Sequence, residues 1–135
     1  MIHHIPDLPA AAREIRRVLK PGGRILIRSA FAGRTAGIGL FTYFPEAATA
    51  LDTRYPSVET VCDAFGTAGF NQRSLEPIPQ RTASTLAEVV ATFDRNAHTP
   101  LLLISDEAYE AGLARLHAAD HAQPVIDALD LLVLA

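Results

Sequence analysis

Histidines, aromatics and acids are the side chains of this sequence best suited to chemistry, and their spacing narrows what that chemistry is. His3 and His4 are adjacent, and an adjacent pair offers too few ligands to hold a metal alone. His117 and His121 lie four apart, which on a helix places both on one face and suits zinc. No Glu stands between them in the H-E-x-x-H manner, and Pro124 follows closely, so the pair reads as the solvated end of a helix. Cys62 sits on an apolar helical stripe without an activating neighbour, and no Gly-x-Ser-x-Gly elbow exists for a serine nucleophile. The acids Asp106-Glu107 fit the start of a helix, and Asp127 with Asp130 fit solubility at a strand edge, better than general acid-base work. Phe31, Arg34, Tyr43, Phe44 and Tyr55 fall in one stretch. Two readings stand there: aromatics stacking on a flat apolar ligand with Arg34 pairing an anionic group, or ordinary core aromatics with Arg34 on the surface.

The elements that must position these residues follow from periodicity. Leu8, Ala11, Ala12, Ile15, Val18 and Leu19 recur at helical spacing and predict a helix from about Leu8 to Lys20. Asp7 is its expected N-cap, Pro9 suits its first turn, and Pro21-Gly22-Gly23 stop it. Arg24 to Ser29 then has the continuous aliphatic centre of a strand buried on both faces. Ala30 to Pro56 shows no sustained period and predicts a long, partly helical excursion. Ser57 caps a helix carrying Val58, Val61, Cys62 and Phe65 on one face, with Gly69 as its stop. Phe70 to Glu76, closed by Pro77 and Pro79, suits an edge strand. Thr85 and Glu88 have capping-box spacing before the stripe Leu86, Val89, Val90 and Phe93. Ser105, Asp106 and Glu107 begin another helix that carries Tyr109, Leu113 and Leu116 inward, and Val125 to Leu134 predicts a final strand. Helix, Pro-Gly-Gly turn and buried strand make an α/β signature.

Length and composition set the outer bounds. At 135 residues, 49% hydrophobic and 20% charged, the chain predicts one folded domain and excludes disorder. A net charge of -3 gives no footprint for nucleic acid. The short basic cluster Arg13, Arg16, Arg17 and Lys20 reads as the solvated face of a helix near its negative end. One cysteine excludes an internal disulfide and argues against structural zinc, which fits a reducing cytoplasm. No apolar run approaches the roughly 20 residues that cross a bilayer, and the N-terminus lacks signal-peptide order.

Met1-Ile-His-His-Ile-Pro-Asp7, followed by Glu14-Ile-Arg-Arg-Val-Leu-Lys-Pro-Gly-Gly-Arg-Ile-Leu-Ile27, resembles a stretch of many small-molecule methyltransferases of the class I S-adenosylmethionine-dependent superfamily, of the type 11 kind. The resemblance implies a Rossmann-like α/β fold. The His-His-Ile-Pro-Asp run would follow the fourth strand of a seven-stranded sheet, and Leu-Lys-Pro-Gly-Gly would lead into the fifth. Ala68-Gly69-Phe70 resembles the approach to the sixth strand. Val125 to Leu134 would be the seventh, antiparallel between the fifth and sixth, giving the spatial order five, seven, six.

On that resemblance the chain is the C-terminal half of the fold, without the half that carries the glycine-rich cofactor loop and the ribose-binding acid. None of its glycines follows a strand in G-x-G-x-x-G order. S-adenosylmethionine is the implied cofactor, with His3 and His4 beside its methyl-donating end, though binding by this chain alone is not expected. Phe31, Arg34, Tyr43, Phe44 and Tyr55 would belong to a lid over a small-molecule methyl acceptor. Methyl transfer depends chiefly on positioning and a dry site, so no catalytic residue is named. The expected partner is a second copy of the chain or the missing half. The alternative function is a non-catalytic module that binds a partner or dimerises.

Overall fold

A computed structural model describes all of residues 1–135. After a short 3-10 turn at Ile2–His4 come α1 (Leu8–Val18), β1 (Ile25–Ser29), α2 (Leu40–Tyr43), α3 (Pro45–Arg54), α4 (Val58–Gly66) and β2 (Gln72–Ala83). Then α5 (Leu86–Ala91), a 3-10 turn at Arg95–Ala97, α6 (Thr99–Leu102), α7 (Asp106–Ala118) and β3 (Val125–Leu134) complete the chain. No helix is long and apolar enough to cross a membrane. The fold is mixed α/β, with a three-stranded antiparallel sheet in the order β1-β3-β2, compatible with part of a methyltransferase fold.

Local chemistry explains the helix boundaries. The Asp7 carboxylate accepts from the Ala10 N–H at 2.9 Å, and α1 ends two residues before the expected Lys20. Gly22 takes φ +77, and a Cβ on Gly23 would lie 2.9 Å from the Lys20 carbonyl, so this tight turn requires both glycines. Ser57 and Ser105 accept from Thr60 and Ala108, each at 3.1 Å, at the starts of α4 and α7. Helices α1 and α4 cover one face of the sheet and enclose a core of Ile2, Ala12, Phe31, Val61, Phe65, Phe70, Leu132 and Leu134.

Several expectations are corrected. β1 is not buried on both faces: it alternates, with Ile25 and Ile27 toward the α1–α4 core while Leu26 is 64% exposed. The helices lie against one side of it only, so the aliphatic run meets water on the other. Val18 is 62% exposed and outside the apolar stripe. Arg16 is not a free surface cation, because its Nε donates to the Ala68 carbonyl at 3.1 Å and its guanidinium lies 3.6 Å from the Phe70 ring centre. Pro77 and Pro79 do not close β2. They stand opposite Asp130 and Ala128, two apart on an outer strand, where a missing donor facing solvent costs no ladder bond. The Thr85–Glu88 capping box does not form: the Glu88 carboxylate accepts from Ser84 N–H, and the first free donors of α5, Leu86 and Ala87, reach the carbonyls of Gln123 and His121.

A second apolar cluster stands apart from the first. Phe44, Ala47, Leu101 and Ile104 are its buried residues, with Phe93, Tyr109 and Leu113 packed against them. It joins the Ala30–Pro56 excursion to the segment between β2 and β3. Arg95 fastens its far side, donating to the Leu101 and Ile104 carbonyls at 3.0 and 2.8 Å and to Asp106 at 2.6 Å.

Candidate functional site

Two concave regions carry the polar groups of interest. The first lies at the N-terminal turn, where the fixed φ of Pro6 and Pro9 and the Asp7 cap lead the chain into α1. His3 stacks on Tyr55 with ring centres 3.9 Å apart and planes 13° from parallel, and His4 tilts against it at 4.0 Å. Burial first, then the N-terminal ammonium and His4, push the His3 imidazole down to about 4, so the ring is neutral at pH 7. Its Nε2 is buried without a hydrogen-bond partner. Burial also raises the Tyr55 phenol above its ordinary value. An open cleft of about 800 Å³ runs past His3, Asp7, Arg54, Tyr55 and Thr60.

The second region lies where the excursion after β1 meets β3. The first part of β3 continues past the end of β1, whose Ser29 pairs with Asp130. Beyond it the chain at Gly37–Gly39 takes the vacant edge: the Gly37 carbonyl accepts from Ala128 N–H at 2.8 Å, and Gly39 N–H donates to Asp127 Oδ1 at 2.8 Å. A Cβ on Gly37 would meet the Ala128 carbonyl at 2.9 Å, which requires glycine there. The other Asp127 oxygen accepts from Thr82 Oγ1 at 2.9 Å. Arg34 makes a two-pronged pair with Asp130, Nε to Oδ2 at 2.5 Å and Nη2 to Oδ1 at 3.0 Å. That hydrogen bonding raises the Arg34 guanidinium still further above its ordinary value.

Between α2, α5, α7 and the ends of β2 and β3 lies a cavity of about 560 Å³. Leu86, Val89 and Phe93 give it an apolar wall, while Tyr43, Gln123 and Asp127 bring polar atoms to it. Gln123 Nε2 donates to the Tyr43 hydroxyl at 3.3 Å. His98 stacks on Phe93 at 5.5 Å, and its burial lowers its pKa against the opposing pull of Asp94 and Asp127.

The structure therefore distributes the residues singled out from sequence. His3, His4 and Tyr55 come together at the N-terminal cleft, and Tyr43 lines the second cavity. Phe31 and Phe44 are 0% exposed and line neither, being core of the first and second clusters. Arg34 is engaged by Asp130. Asp127 and Asp130 are not strand-edge solubility groups: β3 is the central strand, Asp130 is 5% exposed, and both acids tie distant segments to the sheet. Sequence reasoning passed over His98, Gln123 and Thr82. The usable signal lay in Asp127 and Asp130, two acids inside an otherwise apolar strand, since an acid drawn into the fold must find partners.

The sequence profile described as a methyltransferase domain matches residues 1–27, which span the first turn, α1 and the start of β1. No curated protein matches the chain.

Proposed function

We propose that this chain forms the C-terminal, acceptor-side portion of an S-adenosylmethionine-dependent methyltransferase for a small molecule, and that it is inactive alone. The observation that carries the reading is the methyltransferase-domain match over residues 1–27, which falls on the His3–His4 turn, α1 and β1. A last strand lying antiparallel between the other two supports it further. On this reading β1, β3 and β2 are the fifth, seventh and sixth strands of the family sheet.

The open cleft at the matched segment fits a bound cofactor through Asp7, Tyr55 and Thr60, which line it with polar side chains, whereas the His3 Nε2 itself is enclosed and out of a ligand's reach. His3 and His4 would hold the methyl-donating end, where the cofactor supplies an electrophilic methyl on a sulfonium. Stacking on Tyr55 fixes the His3 ring, and its low pKa keeps a positive charge away from that sulfonium. Tyr43 serves the acceptor side, while Phe31 and Phe44 support from below and Arg34 anchors the excursion to the sheet. We place the protein in a reducing cytoplasm, which suits its single cysteine, Cys62.

The test is photocrosslinking of labelled S-adenosylmethionine to the protein purified from its own cells, with whatever chain accompanies it. Label on peptides containing His3, His4 or Tyr55 is expected, and a preparation that takes no label there overturns the reading. Calorimetry on the isolated chain should show no saturable binding of the cofactor. A low-micromolar, one-to-one isotherm would overturn inactivity alone.

A second reading, a module that dimerises or binds a partner, draws on β1. It is an outer strand, with backbone groups on one edge free of any ladder and Leu26 exposed beside them. Such an edge accepts another strand, from a second copy or from the remaining part of the fold. Light scattering reads it: a monodisperse monomer of 14.5 kDa with sharp unfolding refutes the edge argument.

A further inference from the structure

The cavity beside Asp127 has a wall that specifies its ligand. None of its 15 lining residues is Lys or Arg, and His98, its one imidazole, has a pKa lowered by burial. An anionic ligand would therefore meet a carboxylate with no cation to offset it. The Asp127 carboxylate accepts one bond at each oxygen, from Gly39 N–H and from Thr82 Oγ1. A carboxylate has about four acceptor positions, so two remain to be filled. Around it Leu86, Val89, Phe93 and Val125 present apolar surface, with the Phe93–His98 stack as a flat panel. The volume of about 560 Å³ is that of a site for a small ring system.

We propose that this cavity binds an uncharged aromatic alcohol, its rings against Leu86, Val89 and Phe93 and its hydroxyl donating to the Asp127 carboxylate. Tyr43 and Gln123, already bonded to each other, close the polar side without needing the ligand. The wall selects twice. Flat apolar surface favours an aromatic body, and an acceptor-only carboxylate requires a donor and rejects an anion. The inference goes beyond the methyl-transfer reading, because this cavity shares no lining residue with the cleft at His3 and Tyr55. Binding itself is measured without cofactor, so a failure here is distinct from a failure of the crosslinking test.

Fluorescence titration of the whole chain with 2-naphthol, 2-methoxynaphthalene and 2-naphthoate tests it. The naphthol should saturate at one per chain. The ether, which has no donor, should bind about tenfold or more weakly, the worth of one hydrogen bond to a charged acceptor. The carboxylate should bind more weakly still. Asp127→Asn should bring naphthol and ether to similar affinity, and Val89→Trp, which fills the cavity from α5, should abolish both. Circular dichroism melts confirm that the variants fold. If Asp127→Asn does not fold, Val89→Trp and the ligand ranking still decide the matter. Equal binding of the three probes, preference for the naphthoate, or naphthol binding undiminished in Val89→Trp would overturn the proposal.

Discussion

Helix α7 crosses Phe44 at Gly112, and replacing that glycine with alanine sets two known effects against each other. A Cβ at this position would lie 2.1 Å from Phe44 Cδ1, 2.3 Å from Cε1 and 2.9 Å from Cγ. Carbon atoms in favourable contact stand about 3.5–4.0 Å apart, so the ring or the helix must move by more than 1 Å. The ring has little room, being 0% exposed and stacked between Phe93 at 5.6 Å and Tyr109 at 5.8 Å. Helix propensity alone favours alanine over glycine by about 1 kcal/mol. Overpacking a filled core costs about 1–3 kcal/mol, and this overlap belongs at the upper end. The net expectation for Gly112→Ala is destabilisation of about 1–2 kcal/mol, seen as a melting point lower by roughly 4–10 °C. A cycle with Phe44→Leu isolates the cause. Shortening the ring removes the obstacle, so Gly112→Ala should cost far less in that background, or become stabilising. If Gly112→Ala is instead about 1 kcal/mol more stable in the parent, the packing argument at α7 fails.

The adjacent aromatics Tyr43, the last residue of α2, and Phe44, which caps it, should separate cleanly in melts. Phe44→Ala should cost about 3–5 kcal/mol as a fully buried ring, whereas Tyr43→Ala, half-buried with one long bond to Gln123, should cost about 1 kcal/mol; comparable losses would refute that division. His3 binds its proton less readily in the fold than its ordinary pKa of 6.5, so its contribution is complete above pH 6.5 and is lost as pH falls toward 4. Denaturation at pH 7 and pH 5 should show a smaller acid-induced drop in His3→Gln than in the parent, with His98 supplying a residual drop of the same sign; an unchanged pH dependence would remove His3 from the account. Leu26→Lys should leave the melting point of a monomeric chain within about 2 °C, because the side chain already faces water, but should abolish any self-association through β1; an assembly that survives it does not use that strand.

What the sequence discloses is what depends on near neighbours. Asp7, Ser57 and Ser105 announce their helices because each cap bonds three residues on. Pro21-Gly22-Gly23 announces a stop because both glycines serve the turn itself. The same local reasoning fails at Thr85, since the donors of α5 are satisfied by carbonyls at His121 and Gln123, far along the chain. It fails at Pro77 and Pro79 because a proline's cost depends on which strand edge faces solvent. Leu26 reads as core from its neighbours Ile25 and Ile27, yet its exposure depends on what lies across the sheet.

At the candidate sites the split has the same origin. From sequence Tyr55 reads as a lid residue and His3 as a cofactor neighbour, but their stacking is visible only once α3 returns the chain to the N-terminal turn. Asp130 is the sharper case. An acid near a strand end reads as a solubility group until Arg34, 96 residues earlier, comes to lie against it. Burying an unpaired carboxylate at 5% exposure would cost several kcal/mol, so the pairing is a condition of β3 being central. Arg34 in turn holds the start of the excursion that carries Gly37, Gly39 and Tyr43 to the Asp127 cavity. The acid that reads as a solubility group thus fixes the segment from which the Asp127 cavity is built.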